Sequence, residues 1–300
     1  MLMVPRRLRP GQRTEVWVVD VDRAAASRVY ATDTLLLEAP NWAADGSGLL
    51  LNGDGLLWKL GLEPEPKLSA VPVENLPPIN NDHVLDPARG LIYLSANDGH
   101  IYVAPDTGGN ARRVTHDEGC YHFLHGVSPD GKTLAFVELP HGRFSVPGRL
   151  ALIASSGGET HYPSAGVRHV DGPEYSPDGE WLYLNTEEFS TRPGHAQLAR
   201  IPAAGGRMER LVNSESVDWF PHLSPDGEFA SYISFPAGTL GHPADLDVEV
   251  KLVRTANWGH VVQRYALFGG QGTLNVNSWS PDGRRFAYVA YPMETEESVR

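Results

Sequence analysis

The chain has almost no cysteine, few cations and no long apolar run. Cys120 is its single cysteine, which excludes an intramolecular disulfide and any zinc cluster built from cysteines. Lysine and arginine number 25 against 37 aspartates and glutamates, a formal net charge of −12. Such a surface repels nucleic-acid phosphates and anionic lipid headgroups, so neither is expected as a partner. No run approaches the ~20 apolar residues of a membrane-spanning helix. The opening Met-Leu-Met-Val-Pro-Arg-Arg places its basic residues after a short apolar stretch, the reverse of a secretory signal. The expected location is the cytoplasm, although a trimmed periplasmic protein would read the same. Runs with helical periodicity are nearly missing too.

Glycine (31) and proline (24) are plentiful, and both concentrate in one recurring turn. Ser-Pro-Asp-Gly stands at Ser128–Gly131, Ser176–Gly179, Ser224–Gly227 and Ser280–Gly283. Ala43-Ala44-Asp45-Gly46 is a worn copy, and Asp86-Pro87-Ala88-Arg89-Gly90 is another with one extra residue. Short apolar, β-branched or aromatic runs flank every copy. Proline presets the turn, aspartate bonds nearby backbone and glycine takes the positive φ that closes a hairpin. The copies start 43, 42, 48, 48 and 56 residues apart. A period of 40–50 residues with several strands per unit reads as a propeller with one blade per repeat.

The predicted fold is therefore all-β: a six-bladed propeller of four-stranded antiparallel blades in a single domain over 1–300. Blades 1 to 5 fall at 38–73, 80–115, 122–162, 169–212 and 218–267. The sixth repeat, 271–291, has only two strands, and residues 14–32 supply two more. The N-terminal strands should therefore complete the last blade and close the ring, leaving no unpartnered blade face. The longest second-to-third strand connections, at 140–148, 187–195 and 236–247, lie on the face opposite the Ser-Pro-Asp-Gly turns. Long loops carry function more often than tight turns, which selects that face.

The repeated Ser-Pro-Asp-Gly, with an apolar or aromatic residue before it and runs such as Phe286-Ala287-Tyr288-Val289 after it, resembles the TolB-like (WD40-like, PD40) β-propeller repeat. The resemblance covers essentially the whole ring. It implies a rigid scaffold that recognises a partner, whereas the N-terminal α/β domain of TolB proteins has no counterpart in these residues. The same repeat occurs in oligogalacturonate lyases and in the propellers of prolyl oligopeptidase-like peptidases. No hydrolase domain follows the ring here, so peptidase activity is not expected.

Aligning the inner strands on their turns gathers polar side chains at one end of the ring. Glu38, Asn41, Asn81, Asp82, Trp219, His242, Asp245, Gln271, Asn275 and Asn277 are the candidate ligand-binding residues. His83, His125 and His222 are candidate ligands for a divalent metal (Mn, Ca or Zn), since imidazole and carboxylate donors suit such ions. Glu174, Asp171 and Asp218 are candidate catalytic bases or acids. Propeller channels are wet, and simple solvation of these groups is the competing explanation. Two functions follow. The first is a binding module whose funnel takes a small polar ligand or a protein segment. The alternative is a metal-assisted lyase or hydrolase acting on a carbohydrate-like substrate. Gly269-Gly270-Gln271-Gly272 precedes no helix and is no phosphate loop. Ser155-Ser156-Gly157-Gly158 lacks the strand-to-helix elbow of a hydrolase nucleophile.

Overall fold

A computed structural model describes residues 4–86, 88–116, 119–143, 145–163 and 166–294. Pro87 of the variant turn and part of the 140–148 connection lie outside the described residues. Among them there is no helix, and six antiparallel sheets form a six-bladed propeller. Blade 1 runs Glu38–Trp42, Gly48–Gly53, Leu56–Gly61 and Lys67–Ala70 from the axis outward. Blades 2, 4 and 5 repeat this order, their inner strands being Ile79–Asp86, Val170–Tyr175 and Val217–Leu223. Blade 3 pairs Cys120–Val127, Thr133–Pro140 and Arg149–Ala154, and its outermost position is reduced to a bridge between Leu152 and His161.

Thr14–Asp20 pairs with Arg285–Ala290, in register from Glu15 opposite Ala290 to Asp20 opposite Arg285, and with Ala25–Thr32 on its other side. The N-terminus thus closes the ring as the sequence predicts. The inner position of blade 6 is irregular, joined to the next strand by a bridge between Trp279 and Phe286 and by scattered backbone bonds such as Ala287 N–H to the Ser278 carbonyl. Its asparagines bond backbone locally: Asn275 Oδ1 accepts from Gly272 N–H and Asn277 Oδ1 from Trp279 N–H. Such side-chain bonds compete with a ladder.

Four turns share one geometry. In each, the serine Oγ–H donates to the aspartate, whose Oδ1 also accepts the N–H two residues on, as at Ser128, Asp130 and Lys132. Each closing glycine has φ between +68° and +75°. The core lies between blades. Tyr93, Ile101 and Val103 of blade 2 pack on Leu124, Phe136 and Ile153 of blade 3. Val16, Val18, Val289 and Tyr291 of blade 6 pack on Leu37, Trp42 and Leu51 of blade 1, burying the closure seam.

Blade 5 departs from expectation. Its outer strands extend to Ala244–Arg254 and Asn257–Gly270, so the long connection ends at Pro243. Asp245 and Asp247 belong to a strand rather than to the loop that carries His242.

Candidate functional site

A cavity of about 540 Å³ opens on the face opposite the Ser-Pro-Asp-Gly turns. Its polar side is built from blades 1, 2 and 6. Glu38 is the hub: Oε1 accepts from Arg6 (2.8 Å) and Asn81 (3.3 Å), and Oε2 from Asn52 (3.0 Å). Gln271 Nε2 donates to Asn81 Oδ1 at 3.1 Å. Arg6 also donates to the Gln271 carbonyl and lies 5.1 Å over the Tyr291 ring. Asp82 sits beside this network, with Asn80 as its hydrogen-bond partner.

The opposite side is an imidazole cluster with apolar flanks. Asp171 lies 3.0 Å from His125 Nε2, 3.7 Å from His169 Nε2 and 3.9 Å from His242 Nε2. His169 Nδ1 accepts from Gly148 N–H, so its proton is on Nε2, towards Asp171. Phe123, Val137, Leu139 and Val146 flank the cluster from blade 3, and Trp219, Phe220 and Leu240 from blade 5. His242 rests 4.5 Å from the Trp219 ring and edge-on to Phe220.

Electrostatics separates the acids. Burial works to raise the Asp171 carboxyl, but bonds from His125 and His169 hold it well below the ordinary value. Burial lowers His125, and the charges of Asp82 and Asp171 overcome this and leave it raised. Burial also pushes Asp82 up to about 6; His125 opposes the shift, and the charges of Asp171 and Glu38 add to it. His242 is lowered, chiefly by burial.

Local strain sits at the cavity wall. The inner strands of blades 1, 4 and 5 change register immediately after Glu38, Asp171 and Trp219. The following residues, Ala39, Gly172 and Phe220, have φ of +54°, +61° and +54°. A left-handed Phe is costly, and such outliers and bulges gather where side chains are re-aimed at functional sites.

Of the predicted ligand-binding residues, Glu38, Asn81, Asp82, Trp219, His242 and Gln271 line the cavity. Four others hold the scaffold. Asn41 donates to the Asn277 carbonyl and Asn277 to Glu174. Asn275 bonds Gly272, and Asp245 accepts from Gln12 and Arg9. Of the predicted acids, Asp171 lines the cavity. Glu174 accepts from His222, Leu223 N–H and Asn277, and Asp218 is buried under the hydroxyls of Ser214, Ser216 and Ser234.

The predicted metal ligands are not brought together. His222 has both nitrogens engaged, by Glu174 and the Leu274 carbonyl. His83 is sealed in the interior, lowered to about 3 by burial, with neither nitrogen hydrogen-bonded. Only His125 reaches the cavity. The imidazoles around Asp171 do not fit a cation either, because His169 would have to give up the proton that faces the carboxylate. Among the described residues, no group of three or more His, Cys, Asp or Glu is arranged to hold a metal. Residue counting also missed Arg6, Asn52, Phe123, Val137, Leu139 and Phe220; it gathers His169 at the blade-4 entry without giving it a role. Asn52, Val137 and Leu139 were within reach, because second strands end on the face where inner strands begin.

Fold and site together define a six-bladed propeller with a cavity open on its loop face. A solved structure from Agrobacterium tumefaciens, provisionally assigned as TolB, superposes with a TM-score of 0.85 at 35% identity, covering 94% of this chain and 99% of that one. The chain belongs to the TolB-like β-propeller family. An uncharacterized protein of Agrobacterium fabrum is 40% identical over 277 residues, 91% of each chain. A TolB homolog of Chlorobium chlorochromatii is 27% identical over 149 residues, 48% of this chain and 31% of that protein. TolB of Acinetobacter baumannii (TM-score 0.63, 15% identity) and an oligogalacturonate lyase in complex with manganese (0.54, 13%) share the fold. No protein-family model matches the chain.

Proposed function

We propose that the ring is a binding module that encloses a small molecule with polar and apolar parts in its funnel. The observation that carries this reading is a cavity of ligand size whose lining leaves polar atoms unsatisfied. Asn52 Oδ1 and Trp219 Nε1 are buried without a hydrogen-bond partner, and both residues line it. Each such atom costs about 1–3 kcal/mol when left unpaired, a cost that a ligand would relieve. The volume falls in the ~300–1,000 Å³ range of small-molecule sites, and the mixed lining matches their chemistry. A concave cavity of this size suits a small molecule better than a protein segment.

The test is thermal stability against a panel of sugars, amino acids, amines and carboxylic acids, with Val146→Trp as the filled-cavity control. At least one class is expected to raise the wild-type melting temperature and to leave Val146→Trp unmoved. A panel without any effect, or an effect that survives the filling, overturns the reading. The metal-assisted lyase alternative predicts that Mn²⁺, Ca²⁺ or Zn²⁺ raises the melting temperature and that His125→Ala abolishes the rise. The engaged imidazoles of His169 and His222 favour no such rise.

A further inference from the structure

We propose that the molecule held in this funnel is an organic ammonium ion on an apolar body, its charge received by Asp82. The inference deepens the small-molecule reading and rests on it. Four carboxylates line the cavity: Glu38, Asp54, Asp82 and Asp171. Three have cationic or imidazole partners in the fold. Glu38 pairs with Arg6 at 2.8 Å, Asp54 with Arg7 at 3.3 Å, and Asp171 with His125 at 3.0 Å. Asp82 is 5% exposed and, among the described residues, has no ion pair. The one opposite charge that acts on it is the His125 imidazole, which Asp171 already engages at 3.0 Å. A buried carboxylate with no direct ion pair is disfavoured, and a cation from outside would supply one.

Asp82 has no structural task that explains its burial. Its Oδ2 accepts from Asn80 Nδ2 and its N–H donates to Asn80 Oδ1, both within its own strand. Neither bond joins one blade to another, in contrast to those of Glu38. A further acceptor on the same polar side is open, Asn52 Oδ1. An ammonium group brings donors for such acceptors.

The cavity offers an anionic ligand little. Arg6 is the one lysine or arginine among the lining residues, and it is committed to Glu38, the Gln271 carbonyl and the Tyr291 ring. The Nε2 atoms of His125 and His169 face Asp171. The aromatic rings of Phe123, Trp219 and Phe220 on the opposite side supply the surface for an apolar body.

The experiment is calorimetric titration at one pH and ionic strength with hexylamine and phenethylamine, their alcohols 1-hexanol and 2-phenylethanol, and glucose. The proteins are wild type, Asp82→Asn, Asp82→Glu and Val146→Trp. The amines are expected to bind wild type at least about tenfold more tightly than the alcohols, a difference of ~1.4 kcal/mol. Asp82→Asn should lose that preference while remaining folded, and Asp82→Glu should retain part of it. An alcohol or glucose that binds as tightly as the amines overturns the charge assignment and leaves the small-molecule site standing. An amine preference that persists in Asp82→Asn also overturns it. Amine binding that survives in Val146→Trp, or no binding by any probe, counts against the enclosed site itself.

Discussion

The two faces of the ring solve opposite problems. On the turn face, one answer is repeated. Ser176, Ser224 and Ser280 donate to Asp178, Asp226 and Asp282 as Ser128 does to Asp130. All of these polar groups are satisfied locally. On the funnel face the blades differ. Glu38 is clamped by Arg6, Asp82 is unpaired, and Asp171 holds two imidazoles. Repetition marks the face that only has to set register. Divergence, with unsatisfied atoms and left-handed Ala39 and Phe220, marks the face whose side chains answer to something other than folding.

Glu174 gives the sharpest way to break this comparison, because it lies on an inner strand yet behaves as scaffold. Its carboxylate ties His222 (2.6 Å), Leu223 N–H (2.9 Å) and Asn277 (2.8 Å) across blades 4, 5 and 6. Glu174→Ala strands three buried donors and should cost ~3–5 kcal/mol, the largest loss expected here. Denaturant unfolding measures it. A small loss together with altered ligand binding would return Glu174 to the functional set.

Asp82→Asn should act in the other direction. Burial raises the folded carboxyl above its ordinary 3.8 to about 6. Between those values the unfolded chain has released a proton that the folded chain keeps. Stability is therefore lost as pH rises through this window, and the full penalty stands above pH ~6. A shift of that size corresponds to ~3 kcal/mol as an upper figure. Asp82→Asn removes the penalty, so the variant should melt above wild type at pH 7.5 and level with it at pH 4. Asp171 titrates in both proteins, whereas His125 loses the Asp82 charge that helps to raise it, which offsets part of the gain at pH 7.5. A variant less stable than wild type at pH 7.5 would make Asp82 a scaffold residue.

Much of this contrast is legible in the sequence. Ser-Pro-Asp-Gly counts the blades, exposes the split one and picks the face. Measured upstream, it finds Glu38, Asp82, His125, Asp171 and Trp219. It fails at single-residue resolution for two physical reasons. Neighbouring side chains in a regular strand point to opposite faces, but the blade-2 ladder breaks between Ile79 and His83, which puts both Asn81 and Asp82 on the cavity and seals His83 inside. The bulges after Asp171 and Trp219 then shift the count, which turns Glu174 and His222 away from the cavity. Arg6 was beyond reach because the repeat says nothing of where the N-terminal segment runs. The fold therefore reads from a pattern, while the site depends on local breaks in that pattern.

Ser224→Ala tests the turn face. It removes the bond to Asp226 and leaves Phe229 N–H without its 3.0 Å acceptor. The expected cost is ~1–2 kcal/mol, with ligand affinity unchanged. A change in affinity at this distance would show that the turns do more than hold register.

The smallest effect is expected at Ala39, where strain and packing nearly cancel. A left-handed alanine costs about 1–2 kcal/mol relative to a glycine in that conformation. Ala39→Gly relieves this but gives up a fully buried methyl, worth ~0.8 kcal/mol, and makes the unfolded chain more flexible. The net change in stability should stay within about 0.5 kcal/mol either way. Binding should respond more, because the bulge aims Glu38 at Asn52 and Asn81, and a looser backbone there slackens the polar wall. Weaker amine binding at unchanged melting temperature would assign the left-handed residue to the funnel. A loss of stability with unchanged binding would assign it to the scaffold, and positive φ would then no longer distinguish the two faces.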